Sequence, residues 1–225
     1  AVFNPEDDTY DLHLKIKMEN EFSVRVGGNV STTSSNQIYL GLAYQNLNYY
    51  SKEFTLDGQL GKIYNNAQFM AKVDFATTIP TSYRFIASIS TFDYIKKDKL
   101  FSKNDKPAFN QKDERFLKLK VALPFLSSKS LELGFGIAQI EDRYFQNNVI
   151  DFDKDKYDKS GYRLFGGSVS FNGSTLNSRL FPIQGAREAL VAQIFTGNES
   201  FRPGVNSENK KPVKEKHSWL QLSYM

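Results

Sequence analysis

The chain contains no cysteine and one tryptophan among 225 residues. Without cysteine there is no disulfide framework, and the compartment stays open between a disulfide-free periplasm-exposed chain and a cytosolic one. No run approaches 18 uninterrupted apolar residues, so no transmembrane helix is expected. The opening Ala1-Val2-Phe3-Asn4-Pro5-Glu6-Asp7-Asp8 is neither basic nor followed by an apolar core, so no signal peptide is legible and the chain reads as mature or as cut from a longer protein. Helical spacing never persists beyond a turn or two, and neither an internal repeat nor a low-complexity linker stands out. A dominant charge sign is missing too. The net charge is +4 with a pI near 9.0, and basic residues sit beside acidic ones, as in Lys96-Lys97-Asp98-Lys99. A nucleic-acid partner is therefore not expected.

Aromatic residues and period-two alternation are abundant. Aromatics make up 14% of the chain, with 19 Phe and 12 Tyr, while charged residues hold 24%. Both fit strands that are apolar on alternate positions only. Leu12, Leu14, Ile16 and Met18 begin the pattern. Val24, Val26, Gly28 and Val30 follow, then Ile38, Leu40, Leu42 and Tyr44, then Phe54, Leu56 and Leu60, then Phe69, Ala71, Val73 and Phe75. From Tyr83 to Tyr94 the two faces are mixed. Leu117, Leu119, Val121 and Leu123 alternate cleanly, as do Leu131, Leu133, Phe135 and Ile137, and Phe165, Val169 and Phe171. The faces blur again over Ala189–Phe195, and His217–Met225 is the last run.

The reading is all-β: an antiparallel transmembrane β-barrel, present as a partial barrel of about 9–10 meandering strands. Leu117, Leu119, Val121, Leu131, Leu133, Phe135, Val169 and Phe171 are the expected lipid-facing residues. Lys72, Asp74, Lys118, Lys120 and Glu132 would line a watery lumen, with Gly134, Gly136, Gly166 and Ala138 suiting a crowded or plugged interior. Aromatics near strand ends (Tyr44, Tyr49, Tyr50, Phe54, Phe125, Phe181) would sit at headgroup level. The connections expected from Tyr94 to Glu114, Glu141 to Ser160 and Gly197 to Lys216 are long and fall at one end. Those expected over Phe125–Ser130 and Ser174–Arg187 are shorter and fall at the other. Membrane barrels sort loop lengths this way, although alternating strands also build soluble barrels and sandwiches.

Several segments resemble one family. Val2-Phe3-Asn4-Pro5, Tyr10-Asp11-Leu12, Val26-Gly27-Gly28-Asn29-Val30-Ser31 and Ser34-Ser35-Asn36-Gln37-Ile38-Tyr39-Leu40-Gly41-Leu42 are similar to the barrel entry of the bacterial surface antigen superfamily of outer-membrane proteins. The nearest likeness is to the C-terminal barrel of bacterial patatin-like phospholipases. Phe181-Pro182-Ile183-Gln184-Gly185 resembles the aromatic-Pro-x-x-Gly periplasmic turn of that group. The resemblance implies that residues 1–22 end a periplasmic transport-associated module and that 23–225 are an outer-membrane barrel segment. It also implies outer-membrane lipid and lipopolysaccharide as surroundings, and a passenger domain in the same parent chain. The superfamily's Arg-Gly-aromatic loop tip is not matched, with Phe201-Arg202-Pro203-Gly204 only a loose echo.

No catalytic motif is legible. Gly166-Gly167-Ser168-Val169-Ser170 lacks the final glycine of a nucleophile elbow and lies inside an alternating strand, so a small-residue barrel lining is expected instead. His13 and His217 have no second ligand at metal-binding spacing and read as solvated. Asp151, Asp153, Asp155 and Asp158 form an acidic loop, but Lys156 and Tyr162 stand where a calcium hand needs glycine and glutamate, leaving weak divalent binding as a minor alternative to a solvated loop. Lys210, Lys211, Lys214 and Lys216 form a basic loop that could meet lipopolysaccharide. No catalytic residue, cofactor or metal is expected. Three roles stay open: a barrel that anchors or exports a passenger such as a patatin-like lipase, a barrel that assembles or translocates proteins, and a soluble β-barrel or sandwich that binds a ligand.

Overall fold

A computed structural model describes residues 2–4, 9–11, 21–30, 36–96, 108–125, 128–145, 156–177, 183–205 and 207–224. Two short strands, β1 (Val2–Asn4) and β2 (Thr9–Asp11), pair with each other as a separate antiparallel ladder. The expected strand Leu12–Met18 lies outside the described residues. Ten further strands form one sheet: β3 (Phe22–Asn29), β4 (Gln37–Leu47), β5 (Tyr50–Gly61), β6 (Tyr64–Phe75), β7 (Thr81–Lys96), β8 (Ala108–Pro124), β9 (Lys129–Tyr144), β10 (Asp158–Ser174), β11 (Arg187–Arg202) and β12 (Val213–Tyr224). Their order in the sheet is their order in the chain, and every neighbouring pair is antiparallel. Among the described residues there is no helix, and β3 and β12 do not pair with each other to close the sheet.

Register turns the period-two pattern into two continuous faces, because residues directly opposite across an antiparallel pair share a side. One row runs Ala71, Phe85, Leu119, Phe135, Gly167, Ile194, Leu220. The next runs Val73, Tyr83, Val121, Leu133, Val169, Ala192, Leu222. The intervening positions carry Lys72, Arg84, Lys120, Gly134, Ser168, Gln193 and Gln221. The mixed run Tyr83–Tyr94 resolves here: Tyr83, Phe85, Ala87 and Ile89 join the apolar face, while Arg84, Ile86 and Ser88 join the polar one. The blurred run after Ala189 resolves likewise, with Leu190, Ala192 and Ile194 on one side and Val191, Gln193 and Phe195 on the other.

The interior of this fold is inverted relative to a water-soluble domain. The buried polar residues include Thr55, Ser88, Ser160 and Ser170 of the polar face, whereas Leu119 and Phe135 are each 56% exposed. Arg84 on β7 reaches across β8 to within 4.0 Å of Glu132 on β9, so the polar side chains converge and the sheet curls around them. Large apolar side chains occupy the outer, convex side.

Three strand boundaries correct the sequence reading. β7 and β8 extend to Lys96 and from Ala108, β9 and β10 to Tyr144 and from Asp158, and β11 and β12 to Arg202 and from Val213. Beyond the apolar band both faces are polar, so alternation vanishes from the sequence while backbone pairing continues. The inter-strand segments 97–107, 145–157 and 203–212 lie at one end, and 125–128 lies at the other together with 175–186. That last segment is not short, and the loop asymmetry is weaker than expected. It is ordered at its base, where Thr175 N donates to Ala186 O at 2.9 Å and Asn177 N to Gln184 O at 3.1 Å.

Candidate functional site

The site is the pair of faces. All eight expected outward residues lie on the apolar face: Leu117, Leu119, Leu133, Phe135 and Val169 are exposed, and Val121, Leu131 and Phe171 are half-buried. At about 3.3 Å per residue, Leu117–Phe125 runs ~26 Å along the strand. A tilt near 40° leaves ~20 Å of height, close to the ~25 Å apolar band of a membrane barrel. The margin beside the turns 48–49, 76–80 and 125–128 carries an aromatic cluster. Tyr44 stacks with Phe54 at 6.3 Å, Tyr50 with Phe75 at 5.5 Å, Phe75 meets Tyr83 edge-on at 5.8 Å, and Phe125 meets Phe171 at 5.3 Å. Lys52 lies over the Tyr50 ring at 4.4 Å. Phe181 falls outside the described residues.

The concave face holds a ladder of charge pairs. Lys120 Nζ stands 2.7 Å from Glu132 Oε1, and Lys72 Nζ is 2.7 Å from Asp74 Oδ2. On the first strands Arg25 pairs with Asp57 at 2.9 Å, and Tyr39 O–H donates to the same carboxylate. Among the described residues Arg84 Nε is buried without a hydrogen-bond partner. Gly134, Gly136, Gly166, Ala138 and Ser168 all fall on this face, as does Lys118.

One expectation of a solvated residue is corrected, at Asp158, while His217 is exposed and has gained a cross-strand partner. His217 lies within β12 on the concave face, with Nε2 2.9 Å from Glu199 Oε2, and Tyr162 O–H donates to Glu199 Oε1 at 3.0 Å. Asp158 is only 2% exposed and accepts a hydrogen bond from Gly204 N at 2.7 Å. Val205 N donates to Lys156 O at 3.1 Å, so Phe201-Arg202-Pro203-Gly204 ends against the start of β10. The physical reason is shared: long hairpins bring these groups to each other across strands, a separation that local sequence does not display. Asp151, Asp153 and Asp155 lie outside the described residues, as does His13. Lys214 and Lys216 belong to β12 rather than to a loop, while Lys210 Nζ donates to Val205 O at 2.8 Å.

Sequence reasoning missed an aromatic slab on the concave face. Phe195 stacks on Trp219 at 5.4 Å, and the lone tryptophan opposite a phenylalanine was the available signal. Among the described residues no group of three or more His, Asp or Glu is placed to hold a metal.

This geometry defines a class: an all-β, ten-stranded antiparallel meander of the barrel type, open between its first and last strands. The same fold occurs in the crystal structure of BamA from Haemophilus ducreyi lacking POTRA domains 1-3, with a TM-score of 0.55 at 18% sequence identity over 93% of this chain. The chain spans 42% of that structure's length. No family model matches the chain, and no curated protein sequence matches it.

Proposed function

We propose that this chain is the membrane-spanning part of a bacterial outer-membrane barrel that handles polypeptides, either assembling them in the membrane or moving them across it. One observation carries the membrane reading: a single exposed apolar face continues across all ten strands, opposite a concave face of charge pairs, serine and glycine. A soluble monomer rarely exposes a contiguous apolar patch beyond a few hundred Å². In lipid that face is covered by acyl chains, and every backbone group inside a paired sheet is satisfied. The free edges of β3 and β12 then require partner strands, whether from each other, from further strands or from another copy. We take 23–225 as the barrel segment and 1–22 as the end of a periplasmic module, in keeping with the separate β1–β2 ladder.

The polypeptide role is supported by the likeness to the BamA barrel fold. The narrower reading, a barrel anchoring or exporting a patatin-like lipase, rests on the short motifs alone. In either role this chain supplies the wall and not the chemistry. Cell fractionation with unboiled gels tests the membrane reading: the chain should partition with the outer membrane and migrate anomalously until heated. A chain that stays monodisperse without detergent overturns it. Depletion of the parent protein separates the roles, since a general assembly barrel lowers many outer-membrane proteins and a dedicated exporter lowers only its passenger.

A further inference from the structure

Immediately beyond the apolar band, on the same convex side, the chemistry changes in one step. Register places Ile89, Arg115, Gln139, Arg163, Asn198 and Lys216 in a single row across β7–β12. The next row outward holds Asp113, Glu141, Gly161, Ser200 and Lys214, and the one beyond holds Gln111, Arg143, Lys159 and Arg202. Both carboxylates are already engaged, Asp113 with Arg143 at 3.4 Å and Glu141 with Arg143 and Lys159 at 2.7 Å each. Arg115, Arg163, Arg202, Lys214 and Lys216 have no ion-pair partner among the described residues. Lys159 stands directly opposite Arg202; Glu141 supplies the counter-charge of Lys159, and Arg202 has none among the described residues.

The cations also border a groove. A cavity of about 540 Å³ opens on the apolar face, floored by Ala67 and Ala87, walled by Leu56, Phe69, Leu117 and Phe165, and rimmed by Arg115 and Arg163. Its floor is low where Ala87 sits between Phe69 and Leu117. Arg115 and Arg163 are two strands apart, about 10 Å, and so are Arg163 and Lys216, which is the scale of a disaccharide. The opposite margin of the same face differs: it carries aromatics, Lys52 over Tyr50, and Lys129 paired with Glu188 at 3.7 Å. One face therefore has two chemically different borders, as a bilayer with unlike leaflets does.

We infer that the convex surface of β8–β12 is a binding site for an acylated, bis-phosphorylated glycolipid of the outer leaflet. An acyl chain fills the groove, and the phosphates take Arg115, Arg163 and Lys216, with Lys214 and Arg202 above them. The inference rests on the membrane reading, and it assigns the end bearing 97–107, 145–157 and 203–212 to the glycolipid leaflet. Charge-assisted hydrogen bonds from a planar guanidinium suit phosphate oxygens, and clustered cations at a membrane border select anionic lipids.

The test refolds the full chain into vesicles of phosphatidylcholine alone, or doped with diphosphoryl lipid A, monophosphoryl lipid A or phosphatidylglycerol. Lipid retained on extraction into detergent is then measured by native mass spectrometry. Diphosphoryl lipid A should be retained about tenfold more than phosphatidylglycerol, with the monophosphoryl form between them. The double variant R163Q/K216Q should lose that preference, R115Q/K214Q should reduce it, and K52Q at the other margin should leave it unchanged. Equal retention of phosphatidylglycerol, or an undiminished preference in variants that show the wild-type unboiled gel shift, overturns the site. If a variant does not fold, the comparison of lipids on the unaltered chain decides. Failure to insert even into neutral vesicles counts instead against the membrane reading.

Discussion

Gly166 lies under the ring of Phe195, its partner across the β10–β11 ladder, so closely that a β-carbon at 166 would stand 2.8 Å from ring Cδ1. Phe195 in turn stacks on Trp219, so three adjacent strands share one aromatic contact on the concave face. Replacing Gly166 with Ala should push the Phe195 ring away from Trp219, and Gly166→Val should do so more strongly, at about 1–3 kcal/mol. Trp219 is the chain's one tryptophan, so its fluorescence reports the contact directly. An unchanged emission spectrum in both variants would show that the ring has free space elsewhere.

Gly185 has φ of +99°, and a β-carbon there would meet Thr175 O at 2.2 Å. Thr175 C at 2.6 Å and Leu176 Cα at 2.8 Å crowd it as well, and all three atoms are backbone, so a side chain has nowhere to go. Gly185→Ala should cost about 1–3 kcal/mol by loosening the base of the 175–186 connection, where Ala186 N donates to Thr175 Oγ1 at 3.0 Å. The neighbouring Ala186→Gly serves as the control and should cost less. Urea midpoints of the refolded chain, followed on unboiled gels, measure both.

Glu132 is the hub of the concave ladder, pairing with Lys120 at 2.7 Å and facing Arg84 at 4.0 Å. The Glu132→Gln variant leaves two cations on neighbouring strands without a counter-charge. The expected loss is about 1 kcal/mol, because both ends of the pair keep access to water, and it should shrink as salt is raised. Adding Lys120→Met to Glu132→Gln should recover part of the loss. A double-mutant cycle with no coupling between the two positions would remove the pair from the list of stabilising contacts.

Where one side of a strand is apolar and the other polar, the pattern is visible in the residues themselves. That is why Leu117–Leu123 and Leu131–Ile137 each read as one face from the sequence alone. Two kinds of information were not visible. Above the apolar band Lys112-Asp113-Glu114-Arg115 and Glu141-Asp142-Arg143 are polar on both sides, so the strand ends looked like loops. Cross-strand neighbours are also separated in sequence by the length of a hairpin, which hid the Glu199–His217 contact, the burial of Asp158 under Gly204, and the row from Arg115 to Lys216. Local alternation specifies a face; register specifies who stands beside whom on it.

The two faces make opposite demands on a single substitution, and adjacent residues of β8 can test them. Leu119 sits in the middle of the convex band, between Phe85 and Phe135. Lys118 is next to it in sequence and on the other side. In a bilayer Leu119→Lys should cost about 2–4 kcal/mol, the cost of a cation near the midplane of a barrel's lipid face. Lys118→Gln should cost far less, because water reaches the concave side. If the convex face met water instead, Leu119→Lys would fall within about 0.5 kcal/mol of the unaltered chain, as exposed surface changes do. Folding yields into phosphatidylcholine vesicles across a urea series distinguish these outcomes. Leu117→Lys adds a depth check: one step closer to Arg115, it should cost less than Leu119→Lys if the apolar band is a membrane band.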